Sequence, residues 1–412
     1  MRNNLTKISC ALIAGSLALS LNSCSGSLSH ISYPWPNADV ESKNILDGVE
    51  YVLYASRPIS GNLPVNRGRL ILIKADGSFE TIETSGMDSA KLIWDERGIY
   101  FTDKEKDYLL TNDGLQTWDE LKATGHYSLY ERGDEYISLY NAGRLKETPK
   151  GSYSTQVVVR SGSMSRNFIV EGEHAASGLC EDGQVYSVAE PTGDYQDPSQ
   201  PRGLEEYAVA LFRVNLDAEK EELVARGGED IGSVLSRATV CENRVLYSIM
   251  RVRDGETWEK PSLAYLLAWD TVTGEYAVRQ MLDPEGEPVQ ASLEGGGRIA
   301  ELGYHNDFVV AEDGRLHWYM GDRVFATDLA TGMTEELFEV FPETVNGNVN
   351  IRFGEDDFTL FIDDHDLDYF MMTRHDRATG EELNRVELHG LLERTSPERL
   401  IPRGFAARPD GF

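Results

Sequence analysis

Few residues in this chain combine type and spacing in a way that could do chemistry, and the sharpest are two cysteines. Cys180 and Cys241 sit in matching segments, Gly178-Leu-Cys-Glu-Asp-Gly-Gln-Val-Tyr-Ser-Val188 and Thr239-Val-Cys-Glu-Asn-Arg-Val-Leu-Tyr-Ser-Ile249. A disulfide needs Cα atoms within about 7 Å and converging side chains. Export and an even cysteine count leave a disulfide open, but equivalent positions of successive repeats point the same rotational way, which favours two buried free thiols over a bridge. Asp364, Asp366 and Asp368 alternate as hard-oxygen calcium ligands can, and are the calcium candidates of the chain. However, Tyr369 and His375 stand where a twelve-residue calcium loop needs its turn glycine and bidentate glutamate. The reading is a charged loop, with no metal bound. His174, His305, His317, His365 and His375 show no His-x-x-x-His spacing, and the chain has no Cys-x-x-Cys pair and no Gly-x-Ser-x-Gly elbow. No catalytic residue, cofactor-binding residue or cofactor is therefore assigned from the sequence.

The elements that would position these residues are strands. From about residue 88 to 380 the chain repeats a short strand, an acidic or Gly-bearing turn, a second strand with aromatic alternation, and a third strand closing on a turn. The two cysteine segments start at residues 178 and 239, a long version of the roughly 40–50 residues of a four-stranded propeller blade. Seven such units can be counted, beginning with Tyr51-Val-Leu-Tyr54 and Arg69-Leu-Ile-Leu-Ile-Lys74, joined by an Asp76-Gly77 turn to Phe79-Glu-Thr-Ile-Glu83. No amphipathic helix of normal length interrupts the series, so the prediction is all-β, a seven-bladed β-propeller of four-stranded antiparallel blades.

Three units end their third strand alike, in Trp269-Asp-Thr-Val-Thr-Gly274, Thr327-Asp-Leu-Ala-Thr-Gly332 and His375-Asp-Arg-Ala-Thr-Gly380. The aspartate accepts from backbone N–H groups two residues on, and glycine supplies a positive φ. This turn resembles that of quinoprotein-like bacterial propellers, without the aromatic that often follows the glycine there, an absence that argues against a quinone cofactor. The C-terminal Pro402-Arg-Gly-Phe-Ala-Ala-Arg-Pro-Asp-Gly-Phe412 resembles the opening strand of propellers with Pro-Asp-Gly repeats, but stops where the second strand should begin. The first unit lacks an opening strand, so the two ends are expected to complete one blade and close the ring. Thr111-Asn-Asp-Gly-Leu-Gln-Thr-Trp118 resembles the Asp-box of sialidases, with Leu115 in place of a glycine. That resemblance makes Asp113 and Trp118 a structural turn staple rather than catalytic residues.

Arg2 and Lys7 precede the apolar run Ile8 to Leu21, too short to span a bilayer and ordered like a secretory signal. Leu21-Asn22-Ser23-Cys24 resembles the bacterial lipoprotein cleavage box, which implies lipidation, palmitate included, at Cys24. The expected organisation is a lipoprotein signal peptide at 1–23, a tether at 24–47 and the β-propeller at 48–412. A formal net charge of −30 excludes nucleic acid and anionic lipid as electrostatic partners. The lipobox and blades also resemble the propeller lipoprotein of the outer-membrane barrel-assembly machinery. The expectation is an exported, monomeric protein, lipid-anchored to the cell membrane or outer membrane at the cell surface or facing the periplasm. It is read as a non-catalytic module that binds a protein or glycan. The alternative is a glycan-acting hydrolase or lyase working at the mouth of the propeller channel.

Overall fold

The computed structural model describes residues 35–57, 67–123, 125–144, 153–191, 209–227, 233–253, 262–290, 292–293, 300–301, 307–320, 323–340, 347–364, 366–398 and 400–409. Seven four-stranded antiparallel blades form a ring, as the repeat predicts. Their innermost strands, from blade 1 to blade 7, are Ile401–Ala407, Leu92–Asp95, Gly125–Arg132, Ala176–Leu179, Ser233–Glu242, Val309–Val310 and Gly347–Phe353. A two-stranded hairpin, Ser292–Leu293 with Ala300–Glu301, lies between blades 5 and 6, and a helix, Leu391–Glu398, follows blade 7.

The strand Val49–Ser56 illustrates why these sequences make blades. Successive side chains of a strand point to opposite faces, and a blade is covered on both. Tyr51, Leu53 and Ala55 pack with Phe361, Phe370 and Met372 of blade 7. Val52 and Tyr54 pack with Trp94, Ile99 and Phe101 of blade 2. Burial on both faces accounts for the almost continuous apolar run, each large side chain contributing about 1.5–3 kcal/mol. Polar residues collect on the outermost strands, such as Lys220–Arg226 of blade 4.

Ring closure follows the expectation from the two chain ends. Ile401–Ala407 is the innermost strand of a blade whose other strands are Val49–Ser56, Gly68–Lys74 and Phe79–Thr84. Leu53 opposes Phe405 and Tyr54 opposes Gly404, with a bulge between Tyr54 and Ala55 where Pro402 enters. This innermost strand pairs on one side only, so the missing N–H of Pro402 is tolerated. Gly404 is needed for another reason: a Cβ there would lie 2.4 Å from the Ala90 carbonyl oxygen of blade 2. The three Asp-x-x-Thr-Gly turns form as read. Asp270 accepts from Val272 and Thr273 amides at 2.8 Å, Asp328 and Asp376 do likewise, and Gly274, Gly332 and Gly380 have φ of 74°, 79° and 72°.

Residues 35–47, within the expected tether, lie along blade 1. Trp35 Nε1 donates to Glu398 on the helix after blade 7, while Pro36 and Ala38 bond Thr81 of the outermost strand. Asn44 and Leu46 then reach Asn112 in blade 2. This strap spans blade 1 from one neighbour to the other, and Leu46 is fully buried.

The cysteines depart from their expectation. Cys180 and Cys241 form a disulfide, with Cα atoms 5.0 Å apart. Equivalent positions of successive blades do point alike, but innermost strands converge towards the ring axis. In blades 4 and 5 they converge far enough to pair directly, through a parallel bridge between Ser177 and Ala238. Two blades thus merge into one eight-stranded sheet, and the bridge closes a chain loop worth roughly 4 kcal/mol by the chain-entropy relation.

Thiol titration in denaturant should find neither Cys180 nor Cys241 free before reduction, and both free after it; two free thiols in the unreduced protein would remove the bridge. Deleting residues 401–412 should abolish the cooperative thermal transition, whereas an unchanged melting curve would show that the ring closes without them.

Candidate functional site

The innermost strands surround a central cavity of about 290 Å³, lined by residues from all seven blades. Each blade contributes one to four of them, because only a few positions of an innermost strand reach the axis. Blades 2, 7 and 1 supply Lys91, Arg352 and Arg403, and blade 6 supplies Asp307. Hydroxyl groups come from Tyr127, Ser128, Tyr130, Ser177 and Thr239.

Arg352 crosses between blades: its Nη1 donates to the Leu92 carbonyl at 2.6 Å and the Phe405 carbonyl at 3.0 Å. Arg403 Nη2 lies 2.9 Å from Asp88 Oδ1. Tyr130 donates to the Ser177 carbonyl and approaches Ser177 Oγ at 2.9 Å. Burial pushes the Tyr130 phenol up to about 12, although its hydrogen bonds to Ser128 and Ser177 act the other way. It therefore remains a protonated donor across the neutral range. Ser128 Oγ and Ser177 Oγ are 3.1 Å apart, which ties blades 3 and 4 at the channel wall. Among the described residues, the Thr239 hydroxyl and Arg403 Nε are buried without a hydrogen-bond partner.

A second cavity, about 450 Å³, opens at the turns of blades 5, 6 and 7, where Glu242, Glu312 and Glu355 meet Arg377. Arg377 donates to the Gly354 carbonyl at 3.0 Å. Glu312 and Glu355 are exposed, so this acidic rim faces water.

The residues singled out from the sequence are dispersed. Asp113 is exposed on its turn, and the neighbouring Asn112 fastens the strap, its Oδ1 accepting from the Leu46 amide. Trp118 is half-buried beneath Arg160, whose Cζ lies 5.6 Å from the ring. Arg160 in turn belongs to a buried network: Asp107 receives Lys122 Nζ at 2.8 Å and Arg160 Nη2 at 2.8 Å, and Glu120 receives Arg160 at 3.1 Å. That network locks blade 3 onto blade 2. Asp364, Asp366 and Asp368 sit on the connection between the second and third strands of blade 7, and Asp364 Oδ1 accepts from the Asp366 amide. Among the described residues no three His, Cys, Asp or Glu side chains gather as metal ligands would. Cys24, His305 and His365 lie outside the described residues.

The remaining histidines are packing groups in separate blades. His174 is buried between Ser187 and Glu221, with Nε2 2.9 Å from Glu221 Oε2. His375 stacks on Phe358, centroids 4.9 Å apart, and meets Thr373 and the Gly380 carbonyl. His317 is buried 3.7 Å from Asp313. His126, passed over in the sequence, accepts from the Lys91 amide and stacks on Tyr140. Desolvation by burial holds His126, His317 and His375 below the usual histidine range. Arg352, Arg403 and Asp307 were also missed. Their signal is only a place on, or two residues before, the innermost strand of three different repeats, which no local motif marks.

A ring of seven four-stranded blades, closed by its own C-terminal strand around a polar channel, defines the class as a seven-bladed β-propeller. Within that class the chain belongs to the family of the YycP beta-propeller domain, whose model matches residues 44–400. No curated protein matches it. Among solved structures, a Synechocystis apocarotenoid oxygenase mutant is 11% identical at a TM-score of 0.49, over 88% of this chain and 93% of that one. The cobalt-substituted form of that Synechocystis protein is 11% identical at a TM-score of 0.47, with the same coverage. A luciferin-regenerating enzyme is 12% identical at a TM-score of 0.35, over 74% of this chain and 93% of that one. Likeness at this level assigns no chemistry.

His126, His317 and His375 set a pH dependence. Below about pH 6.5 the unfolded chain protonates them while the folded protein does not, so the unfolded state binds more protons. Their stabilisation is complete above about pH 6.5 and is lost as pH falls towards the lowered folded values. Denaturant unfolding between pH 7 and pH 5 should show stability dropping by up to about 1.4 kcal/mol per pH unit for each histidine. His126→Gln should flatten that slope, and an unaltered slope would exclude His126 as a contributor.

Proposed function

We propose that this protein is an exported lipoprotein, anchored through Cys24, whose propeller is a non-catalytic module for binding a protein or glycan partner. The observation that carries this reading is an asymmetry between the two faces of the ring. Connections between first and second strands, and between third and fourth, are short turns such as 75–78, 112–113, 162–163 and 243–244. On the opposite face, the strand ends Ser56 and Gly68, Arg144 and Tyr153, Ala189 and Ala210, and Arg253 and Ser262 bound much longer stretches of sequence. The link from blade 5 to blade 6, residues 281–308, joins them on that face. Long connections on a rigid ring are where propellers of varied function build recognition surfaces. The disulfide supports export, since such bonds persist in oxidising compartments. The Asp-x-x-Thr-Gly turns support kinship with quinoprotein-like propellers in architecture alone.

The enzymatic alternative, a glycan-acting hydrolase or lyase, would place convergent acids in an enclosed mouth. The acidic rim of Glu242, Glu312 and Glu355 stands at the short turns and faces water, which favours binding over catalysis.

Two measurements test the proposal. Cys24→Ser should shift the protein from the membrane fraction to the soluble one, and retention in the membrane would refute the anchor. A photo-crosslinking side chain introduced at Glu190, on the long-loop face, should capture a partner on intact cells, while one at Ser163, on the short-turn face, should not. Capture from Ser163 alone would reverse the assignment of faces, and turnover of a glycan by the purified protein would replace binding with catalysis.

A further inference from the structure

The central cavity carries a charge pattern opposite to that of the whole molecule. The chain has a formal net charge of −30, yet the cavity wall holds Lys91, Arg352 and Arg403 against the single carboxylate of Asp307. Arg403 is matched by Asp88. Arg352 is not matched: among the described residues it meets only the two carbonyls of Leu92 and Phe405, and no carboxylate. A half-buried guanidinium without a counter-ion is costly to hold in a cavity withdrawn from bulk water. Both carbonyls are taken by Nη1, which leaves the Nε and Nη2 edge of the fork unspent. That edge offers two parallel N–H donors with the spacing of a carboxylate's oxygens.

Thr239 and Arg403 line the same space. A volume of about 290 Å³ lies at the small end of ligand pockets, and Phe308, Phe353 and Phe405 among its walls offer apolar contact.

We propose that the central channel binds a small organic monocarboxylate, its carboxylate seated on the Nε and Nη2 edge of Arg352 and its short apolar part against the phenylalanines. Asp307, which makes no ion pair among the described residues, sets the selectivity. One negative charge is balanced by Arg352, whereas a second would face Asp307 and the negative field of the whole protein. Phosphate and sulfate dianions are therefore rejected, and neutral amides lack the charge that would compensate the guanidinium.

Isothermal titration of the full chain with acetate, propionate, propionamide, phosphate and sulfate tests this. Acetate or propionate should bind saturably at one site, and the other three should not. Arg352→Gln loses the charge, and should weaken carboxylate binding at least about tenfold, the equivalent of one charge-assisted hydrogen bond. Because Arg352 also bridges blades, Asp307→Asn provides a second arm at a residue that makes no ion pair among the described residues. It should tighten propionate binding and admit phosphate. Absence of saturable carboxylate binding, equal binding by Arg352→Gln, or an Asp307→Asn protein with unchanged selectivity would each overturn the proposal.

Discussion

Ring closure is the constraint on which everything else rests. Each blade buries both faces on its neighbours, so no blade is complete until the last is in place. Blade 1 cannot form from either chain end alone, because its inner strand comes from Ile401–Ala407 and its other three from Val49–Thr84. Once that pairing is made, the core clusters run without interruption from blade to blade, and the channel acquires a continuous wall. The strap at 35–47 reinforces the same joint from outside, lying across blade 1 from the helix after blade 7 to the turn at Asn112.

Most of this architecture was legible in the sequence because it is written in short-range terms. The Asp270, Asp328 and Asp376 turns need only four or five consecutive residues to specify their geometry, and the strands announce themselves by alternation and by apolar runs. The closing strand was legible because Pro402, Gly404 and the incomplete repeat meet in one segment. The Cys180–Cys241 bridge was misread for a reason of long range: how far two innermost strands converge depends on the packing of whole blades, and repeat equivalence reports direction but not distance. The strap was hidden because Trp35 to Asp47 resembles a polar linker until Thr81 and Asn112 are placed beside it.

The channel was the least legible part. Arg352 stands in Asn350-Ile-Arg-Phe353 and Asp307 in Asn306-Asp-Phe308, segments with no motif, and only closure of the ring brings them to one cavity. The contrast with the buried Asp107, Lys122, Arg160 and Glu120 network is instructive. There every charge has a partner and the group acts as a fastening between blades. In the channel, Arg352 meets two carbonyls and, among the described residues, no carboxylate.

The disulfide stands across the ring from the closing blade, since blade 1 faces the junction of blades 4 and 5. In mechanical terms the propeller is a clasped band with a welded seam opposite the clasp. If the C-terminal strand lets go, the disulfide and the Ser177–Ala238 bridge still hold blades 4 and 5 together, so the two arcs remain joined on the far side of the ring. Reclosure is then the meeting of two joined ends, an intramolecular search over a short path instead of a full refolding.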